Sequence, residues 1–307
     1  GQPFSYNLDR PPPGKEPLLL SYLQHYAEID LRRGENGEFN RLNPASGFLA
    51  GFDLQMAGFF VGGDANDVKF RPEVRFFAPI ARRVVIAGRF SMGFLWVEDY
   101  RKGDPYANGV PLLDQTFLAT DVTRRYDDDG NLISEGDVAQ RRRLNRDAQI
   151  LAARGLYSGG PLSNRGYSFN EISPHRVVGD EGEFLQDPDA IGGRTAWEAS
   201  VELRFPIYRA LGGVFFIDAS DVTRKLGELR LDHPHVSTGL GLRYDTPVGP
   251  LRIDWGFRIP YLQVLGEDFV ESCLKLKTVC PTVVIDEGDA SNFIGPSALS
   301  IAIGHAY

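Results

Sequence analysis

The chain of 307 residues lacks any long uninterrupted run of apolar residues. A membrane-spanning helix needs about 18 or more such residues in succession, so the sequence excludes a transmembrane helix. This absence does not make the protein soluble, because a membrane β-barrel carries its apolar residues at every second position and keeps a modest average hydropathy. A composition with 42% hydrophobic and 11% aromatic residues is typical of a folded chain.

An excess of basic residues is also missing, since the formal net charge is −8 and no basic stripe with interleaved aromatics occurs. Nucleic acid is therefore not expected as a partner. The sequence contains no G-x-S-x-G elbow, H-E-x-x-H pair or Walker loop. The acidic run Asp127–Asp129 lacks the spacing of a calcium loop. The motifs thus favour neither an enzyme nor a metal or cofactor site.

Cysteine is scarce, and Cys273 and Cys280 are separated by six residues in a segment of turn and loop character. In an oxidising compartment this spacing favours a short-loop disulfide. The alternative is two unrelated thiols. No histidine accompanies them at zinc-binding spacing.

A signal peptide is also absent from the first residues. Gly1–Arg10 has neither a positively charged start nor an apolar core. An exported protein needs such a signal, so we expect the chain to be mature or to be cut from a longer protein.

Alternation of apolar and polar residues is the dominant pattern of the chain. In Leu251–Ile259, leucine, isoleucine, tryptophan and phenylalanine alternate with arginine, aspartate and glycine. Because side chains alternate across a β-strand, such a segment has one apolar and one polar face. Pro206 is expected to end one strand, and Pro72 weakens another. The pattern predicts nine strands, at Leu18–Asp30, Phe48–Met56, Val68–Phe76, Val84–Phe94, Ala196–Phe205, Gly213–Ser220, Val236–Tyr244, Leu251–Ile259 and Ser297–Tyr307.

Alternation alone does not separate a soluble β-sandwich from a membrane β-barrel. In the sandwich the apolar face packs into the core, whereas in the barrel it faces lipid and the polar face lines the lumen. The segment lengths suit membrane strands, which need about 9–11 residues. Trp197 and Tyr244 lie near predicted strand ends, as an aromatic girdle would place them. The pattern therefore favours the membrane barrel.

One connection, from about Glu98 to Thr195, runs for nearly a hundred residues without clean alternation. Loops of this length are uncommon and usually functional. Its middle, Asp114–Asp147, is rich in charge, with the runs R-R-Y-D-D-D-G-N and R-R-R-L-N-R. Its second half contains the glycine-rich stretch Y-S-G-G-P-L-S-N-R-G-Y, residues Tyr157–Tyr167.

Six short motifs occur along the chain. They are L-N-P-A-S-G at Leu42–Gly47, the pair Gly159-Gly160 followed by Arg165-Gly166-Tyr167, E-x-R-F-P at Glu202–Pro206, F-x-D at Phe216–Asp218, G-x-G-x-R-Y-x-T-P-x-G-P-x-R-x-D at Gly239–Asp254, and the ending I-G-H-A-Y with Gly304 and Tyr307. Their combination resembles the BamA/TamA superfamily of outer-membrane assembly and translocation proteins. The resemblance covers about Leu19–Tyr307 and is specific because the motifs recur together.

The chain departs from the family pattern at three places. Asn164 stands where the loop signature usually has valine, and Ser220 stands where F-x-D-x-G has its glycine. The charged insert at Asp114–Asp147 is longer than the family norm and is a candidate for a surface subdomain.

The resemblance implies an all-β fold, an antiparallel transmembrane β-barrel. Residues 1–307 would form the C-terminal part of the barrel domain, about the last nine of sixteen strands, with 98–195 as a long extracellular loop that enters the lumen. The family's upstream strands and periplasmic POTRA domains are expected outside this chain. An open sheet would leave unpaired edges in lipid at a large cost, so the missing strands would come from the same or another polypeptide. The alternative is a smaller closed barrel with a strand added by Gly1–Pro17 or by the insert.

The long loop of the family folds back into the barrel, where its arginine meets acidic groups on the inner wall. The resemblance assigns this loop-to-barrel contact to Arg165, Gly166, Tyr167, Glu202 and Asp218. The alternative is a solvated loop arginine. Gly159 and Gly160 would permit the tight turns of the loop.

The terminal strand Ser297–Tyr307 forms one side of a weak seam in the family. Gly304 and Tyr307 belong to this strand, and short inward residues such as Ala298 and Ala302 would pack loosely. A client strand would pair with the exposed edge by β-augmentation.

The resemblance implies a protein of the bacterial outer membrane that inserts or translocates other proteins without covalent chemistry. Its partners would be outer-membrane lipid, unfolded outer-membrane or secreted clients, and either accessory assembly lipoproteins or a chain that supplies the missing strands. The alternatives are a two-partner secretion pore, a passive channel and a soluble β-sandwich. The number of upstream POTRA domains would distinguish secretion from assembly.

Overall fold

A computed structural model describes residues 17–98, 100, 149–178, 184–190, 192–231, 234–246, 250–259 and 297–303. The strands in these ranges are β1 (Tyr22–Asp30), β2 (Gly47–Ala57), β3 (Asp67–Ala81), β4 (Val84–Val97), β5 (His175–Val178), β6 (Phe184–Ala190), β7 (Thr195–Tyr208), β8 (Leu211–Thr223), β9 (His235–Tyr244), β10 (Leu251–Arg258) and β11 (Ser297–Ile303). No helix in the described ranges is long and apolar enough to cross a membrane.

The main structural element is a nine-stranded antiparallel sheet. Its order is β1-β2-β3-β4-β7-β8-β9-β10-β11, and β5 and β6 form a separate two-stranded hairpin. Each of the nine predicted segments contributes one strand to the main sheet, so the predicted all-β antiparallel fold is confirmed. Strands β1 and β11 occupy the two ends of the sheet as described.

In this sheet the polar face is buried and the apolar face is exposed, which is the reverse of a soluble protein. On β7, Val201 is 50% exposed whereas the neighbouring Glu202 is fully buried. The soluble β-sandwich is therefore the wrong alternative, because its apolar face would be the buried one. We call the two sides the apolar face and the polar face. The apolar face exposes, among others, Phe76, Phe90, Phe215, Ile217, Leu240, Leu242, Ile253, Trp255, Leu299 and Ile301.

Two strands continue through prolines that were expected to end or weaken them. Strand β7 passes Pro206 and ends at Tyr208, so the prediction that Pro206 terminates it is wrong. The pairing register with β8 shifts between Pro206 and Tyr208, and such an irregularity tolerates a residue without an N–H donor. In β3, Arg71 and Pro72 have no partner in the ladder with β4, which resumes at Glu73.

The long connection between β4 and β7 contains regular structure where it is described. Residues 149–154 form a short helix, and β5 and β6 follow the glycine-rich stretch. Ile150 and Leu151 of the helix are buried in a hydrophobic cluster at the loop end of the sheet. The cluster also contains Ala57, Leu95, Val97, Tyr100, Leu156, Tyr167, Ile172, Ala196 and Val222.

Trp197 does not belong to a lipid-facing aromatic girdle. Its side chain is only 6% exposed, and its indole N–H donates a hydrogen bond to the Arg230 carbonyl at 3.3 Å. The connection between β8 and β9 folds back over the apolar face at this point, which the alternation of residues in β7 does not reveal. Tyr244, at the other end of the sheet, is exposed as expected.

Candidate functional site on the polar face

The stretch Tyr157–Tyr167, which we call the loop tip, folds through two consecutive glycine turns. The backbone of Ser158 exchanges two hydrogen bonds of 3.0 Å with Ile172, which closes the base of the tip. The Gly160 N–H donates to the carbonyls of Asn164 and Tyr167, at 3.1 and 3.0 Å. Gly159 and Gly160 have φ values of 99° and 101°, a region that residues with a Cβ rarely adopt. The glycine pair is thus required by the backbone conformation.

Arg165 projects from the loop tip onto the polar face and is 1% exposed. Its Nε and Nη2 atoms donate to the two carboxylate oxygens of Asp218 at 2.8 and 2.7 Å, and its backbone N–H donates to Asp218 at 3.0 Å. Its Nη1 atom donates to Glu202, which also accepts a 2.8 Å hydrogen bond from Arg204 Nε. The structure therefore brings Arg165 together with both acidic residues named from the sequence.

The guanidinium of Arg165 also lies flat against an aromatic ring. Its central carbon is 3.6 Å from the centre of the Phe216 ring. The arginine is thus held by carboxylates at its edge and by a ring at its face, a geometry that lysine cannot reproduce. Because both carboxylates accept hydrogen bonds from arginines, the arrangement is suited to binding the loop rather than to transferring protons.

Glycines of the sheet allow the loop backbone to approach the polar face closely. A Cβ atom on Gly256 of β10 would lie 2.5 Å from the Arg165 carbonyl oxygen. A Cβ atom on Gly239 of β9 would lie 2.4 Å from the Phe216 ring, which is the ring beneath Arg165. Gly239 therefore acts together with Gly256 as the floor on which the loop tip rests.

Tyr167 is buried at the edge of this site and packs against the side chains of Arg258 and His235. The Arg258 guanidinium lies 4.6 Å from the centre of its ring, and His235 contacts the ring edge-on at 5.8 Å. Arg258 Nε also donates to the Gly166 carbonyl at 3.0 Å. His235 is the first residue of β9 and is buried beneath the loop.

Three further contacts attach the loop tip to strands on both sides of the Arg165 site. Arg89 of β4 donates to the Leu162 carbonyl at 2.9 Å and pairs with Glu198 of β7 at 3.0 Å. Ser163 Oγ donates to the same Glu198, and Arg252 of β10 donates to the Pro161 carbonyl at 2.7 Å. These residues could not be identified from the sequence. An arginine on the polar face of an alternating strand has no sequence feature that sets it apart from the other polar residues of that face.

Residues 132–261 of the chain match the Omp85 superfamily domain. The crystal structure of BamA from Haemophilus ducreyi lacking POTRA domains 1–3 is similar, with 18% sequence identity and a TM-score of 0.46. The match covers 72% of this chain and 37% of that chain, so this chain spans well under half of that relative. Outer-membrane β-barrels have an apolar outer face that meets lipid, and the exposed apolar face of this sheet fits that placement in the bacterial outer membrane.

A second buried arginine anchors residues 149–154, which we call the loop stem. Arg154, in the short helix, binds Asp67 of β3 through Nε at 3.0 Å and Nη2 at 2.7 Å, and Gln55 through Nη1 at 2.9 Å. The Tyr100 hydroxyl donates to Asp67 at 2.8 Å. Burial and the negative charge of Asp67 raise the pKa of Tyr100, which keeps this hydroxyl protonated as a donor.

Replacing Arg154 with alanine is expected to loosen the loop stem. Asp67 is fully buried, and it would retain only the Tyr100 hydroxyl among the donors described above. Loss of the charged hydrogen bonds should cost about 2 kcal/mol and speed protease cleavage within 149–178. The matched control is Arg71→Ala, since Arg71 is an exposed arginine of the same strand as Asp67. Equal cleavage rates in the two variants would show that the Arg154 contact does not hold the stem.

Several residues named from the sequence lie outside the described part of the chain. They are Cys273, Cys280, Gly304, Tyr307 and the charged insert 114–147. The disulfide, the end of the terminal strand and the insert therefore stay predictions.

Proposed function

We propose that this domain takes part in the insertion or translocation of other proteins at the outer membrane, without covalent chemistry. In this proposal the loop tip holds strands of the sheet together from their polar face, while the edge of β11 accepts a client strand. The observation that carries the proposal is the buried Arg165, which joins the loop to Glu202 and Asp218 on adjacent strands. In this proposal the contact holds β7 and β8 in place while the edge of the sheet at β11 opens to a client.

Charged contacts extend from the loop tip toward the last strands. Arg243 of β9 lies 3.6 Å from Glu202 and donates to Asp254 of β10 at 2.6 Å. Strands β7 to β10 are therefore linked across the polar face by ion pairs as well as by backbone hydrogen bonds. This linkage supports a rigid wall that ends at β10.

Strand β11 has the features of a weakly held edge. Its inward positions include the small Ala298 and Ala302. Its outward residues Leu299, Ile301 and Ile303 are 67–70% exposed. An edge strand presents unpaired N–H and C=O groups, so it can accept another strand by β-augmentation.

A photo-crosslinking residue at Ile301 is expected to capture unfolded client polypeptide. The matched control is the same residue at Ile253, which is the direct cross-strand partner of Ile301 one strand further inside the sheet. Both positions face outward and are exposed, Ile301 at 67% and Ile253 at 40%, and only Ile301 lies on the edge strand. Client adducts should form at Ile301 and be rare at Ile253. Equal adduct yields at the two positions would contradict client pairing at the β11 edge.

Accessory lipoproteins and a chain that supplies further strands belong to the same proposal as partners. Purification of the full-length protein from membranes after mild crosslinking would identify them. Recovery of a single polypeptide whose own upstream strands pair with β1 or β11 would remove the need for a second chain.

A pore is the second candidate function, and the polar face of β1 to β3 favours it. This part of the sheet carries polar side chains such as Gln24, Asp53 and Arg71, and Gln24 and Arg71 are exposed. The described contacts of the loop tip fall on β4 and β7 to β10 instead. Steady ion conductance of the reconstituted full-length protein without client would favour a pore, whereas client-dependent insertion would favour assembly.

A further inference from the structure

Asn164, the residue before Arg165, makes its own set of contacts with the polar face and is 1% exposed. Its Nδ2 atom donates to Ser220 Oγ of β8 at 3.1 Å and to the His235 carbonyl of β9 at 2.8 Å. Its Oδ1 atom accepts a 2.5 Å hydrogen bond from Ser237 Oγ of β9. Both donors of the amide and one lone pair of its oxygen are therefore used.

The same contacts continue into the backbone on the other side of Arg165. Ser237 Oγ accepts a 3.1 Å hydrogen bond from the Gly166 N–H. The Asn164 carbonyl accepts hydrogen bonds from the N–H groups of Gly160 and Tyr167. Asn164 is thus bonded to two strands through its side chain and to both halves of the loop tip through its backbone.

We infer that Asn164 is a positioning residue that sets the register of the loop tip on β8 and β9. With Ser220 and Ser237 it forms a neutral clamp, which places the backbone so that Arg165 meets Asp218 and Glu202. The physical reason is length: arginine reaches its partners through a long side chain, whereas the short asparagine bonds only when the backbone itself is in place. The inference deepens the proposed function and depends on it only for the activity readout.

Asn164 and Ser220 are the two positions at which the motifs depart from the family pattern, and they contact each other directly. A buried polar group left without its partner is costly, whereas replacing both partners with apolar groups is nearly neutral. The two departures are therefore one coupled feature: a polar pair stands where the pattern has valine and glycine.

The test is a double-mutant cycle in the full-length protein with Asn164→Val, Ser220→Ala and the double variant. The primary measurement is hydrogen–deuterium exchange of peptides covering 157–167, with β2 peptides as the internal reference, because the described contacts of the loop tip do not fall on β2. Asn164→Val should raise exchange at the loop tip about tenfold relative to β2, the effect of one or two lost buried hydrogen bonds. Ser168→Ala, at an exposed position of the same loop, is the control and should leave exchange unchanged.

The double variant should exchange more slowly than Asn164→Val alone, and activity should follow exchange in the same order. The clamp would be overturned if the effects of Asn164→Val and Ser220→Ala on the exchange rate simply multiply in the double variant. Equal exchange rates in Asn164→Val and Ser168→Ala would also overturn it. A rise of exchange throughout β2 would likewise overturn it in favour of a general loss of stability. Coupled exchange without any change in activity would leave the clamp in place and count against the proposed function instead.

Discussion

Arg165→Ala is expected to release the loop tip from the polar face while the protein continues to be expressed and inserted. The substitution leaves Glu202 and Asp218 buried with less positive charge beside them. Removing one partner of a buried ion pair costs about 3–5 kcal/mol. We expect rapid protease cleavage within Tyr157–Tyr167 and loss of client insertion, measured by digestion of intact membranes and by complementation.

Two further variants make the Arg165 experiment specific. Arg165→Lys keeps the charge but loses the two-pronged contact with Asp218 and the stacking on Phe216, so it should lie between wild type and alanine. Asp218→Asn added to Arg165→Ala removes the uncompensated carboxylate and should recover part of the lost stability. Unchanged loop cleavage together with unchanged complementation in Arg165→Ala would show that this contact is dispensable.

Gly256→Ala is expected to displace the loop tip without removing any of its hydrogen-bonding side chains. The added Cβ would lie 2.5 Å from the Arg165 carbonyl oxygen and 2.8 Å from the Gly166 nitrogen. Both atoms belong to a backbone that the ion pairs hold in place, so neither can move aside cheaply. The cost should reach about 3 kcal/mol, the upper part of the range for overpacking. Faster loop cleavage and a lower unfolding temperature are the measurements.

Gly212→Ala is the matched control for this clash. Gly212 also lies in a strand of the main sheet, but the nearest atom to its added Cβ, the Phe205 carbonyl oxygen, is 3.4 Å away. Both variants gain the same methyl group and the same strand propensity, so a difference between them reports the contact with the loop. If the two variants behave alike, the loop backbone is not pressed against β10 as closely as the structure indicates.

Much of the sheet was predictable because every second side chain of a strand points to the same face. The parity of Glu202 and Asp218 placed both carboxylates on one face, and the structure has Arg165 between them. The sequence alone indicated no role for Gly239 and Gly256. Their role depends on the ring and the backbone segment that lie above them, and both are placed by the packed loop.

Contacts between distant segments were not predictable from the sequence. Arg154 and Asp67 are separated by 87 positions and belong to no motif, yet they form the second anchor of the loop. Trp197 was misplaced for the same reason, since it is buried by a connection that folds back over the sheet. Pro206 was misjudged because a register shift in the ladder absorbs its missing N–H.

The sequence by itself determined the strands, their polar and apolar faces and the residue types available for an ion network. It did so because alternation and turn chemistry are local properties of the chain. Only the tertiary structure decided which face is buried, because both a soluble sandwich and a membrane barrel have the same alternation. The packed loop tip covers the polar face of β4 and β7 to β10 and leaves the apolar face open. Buried charges need partners of opposite charge, which explains the place of Arg165, and buried polar groups need hydrogen bonds, which explains that of Asn164.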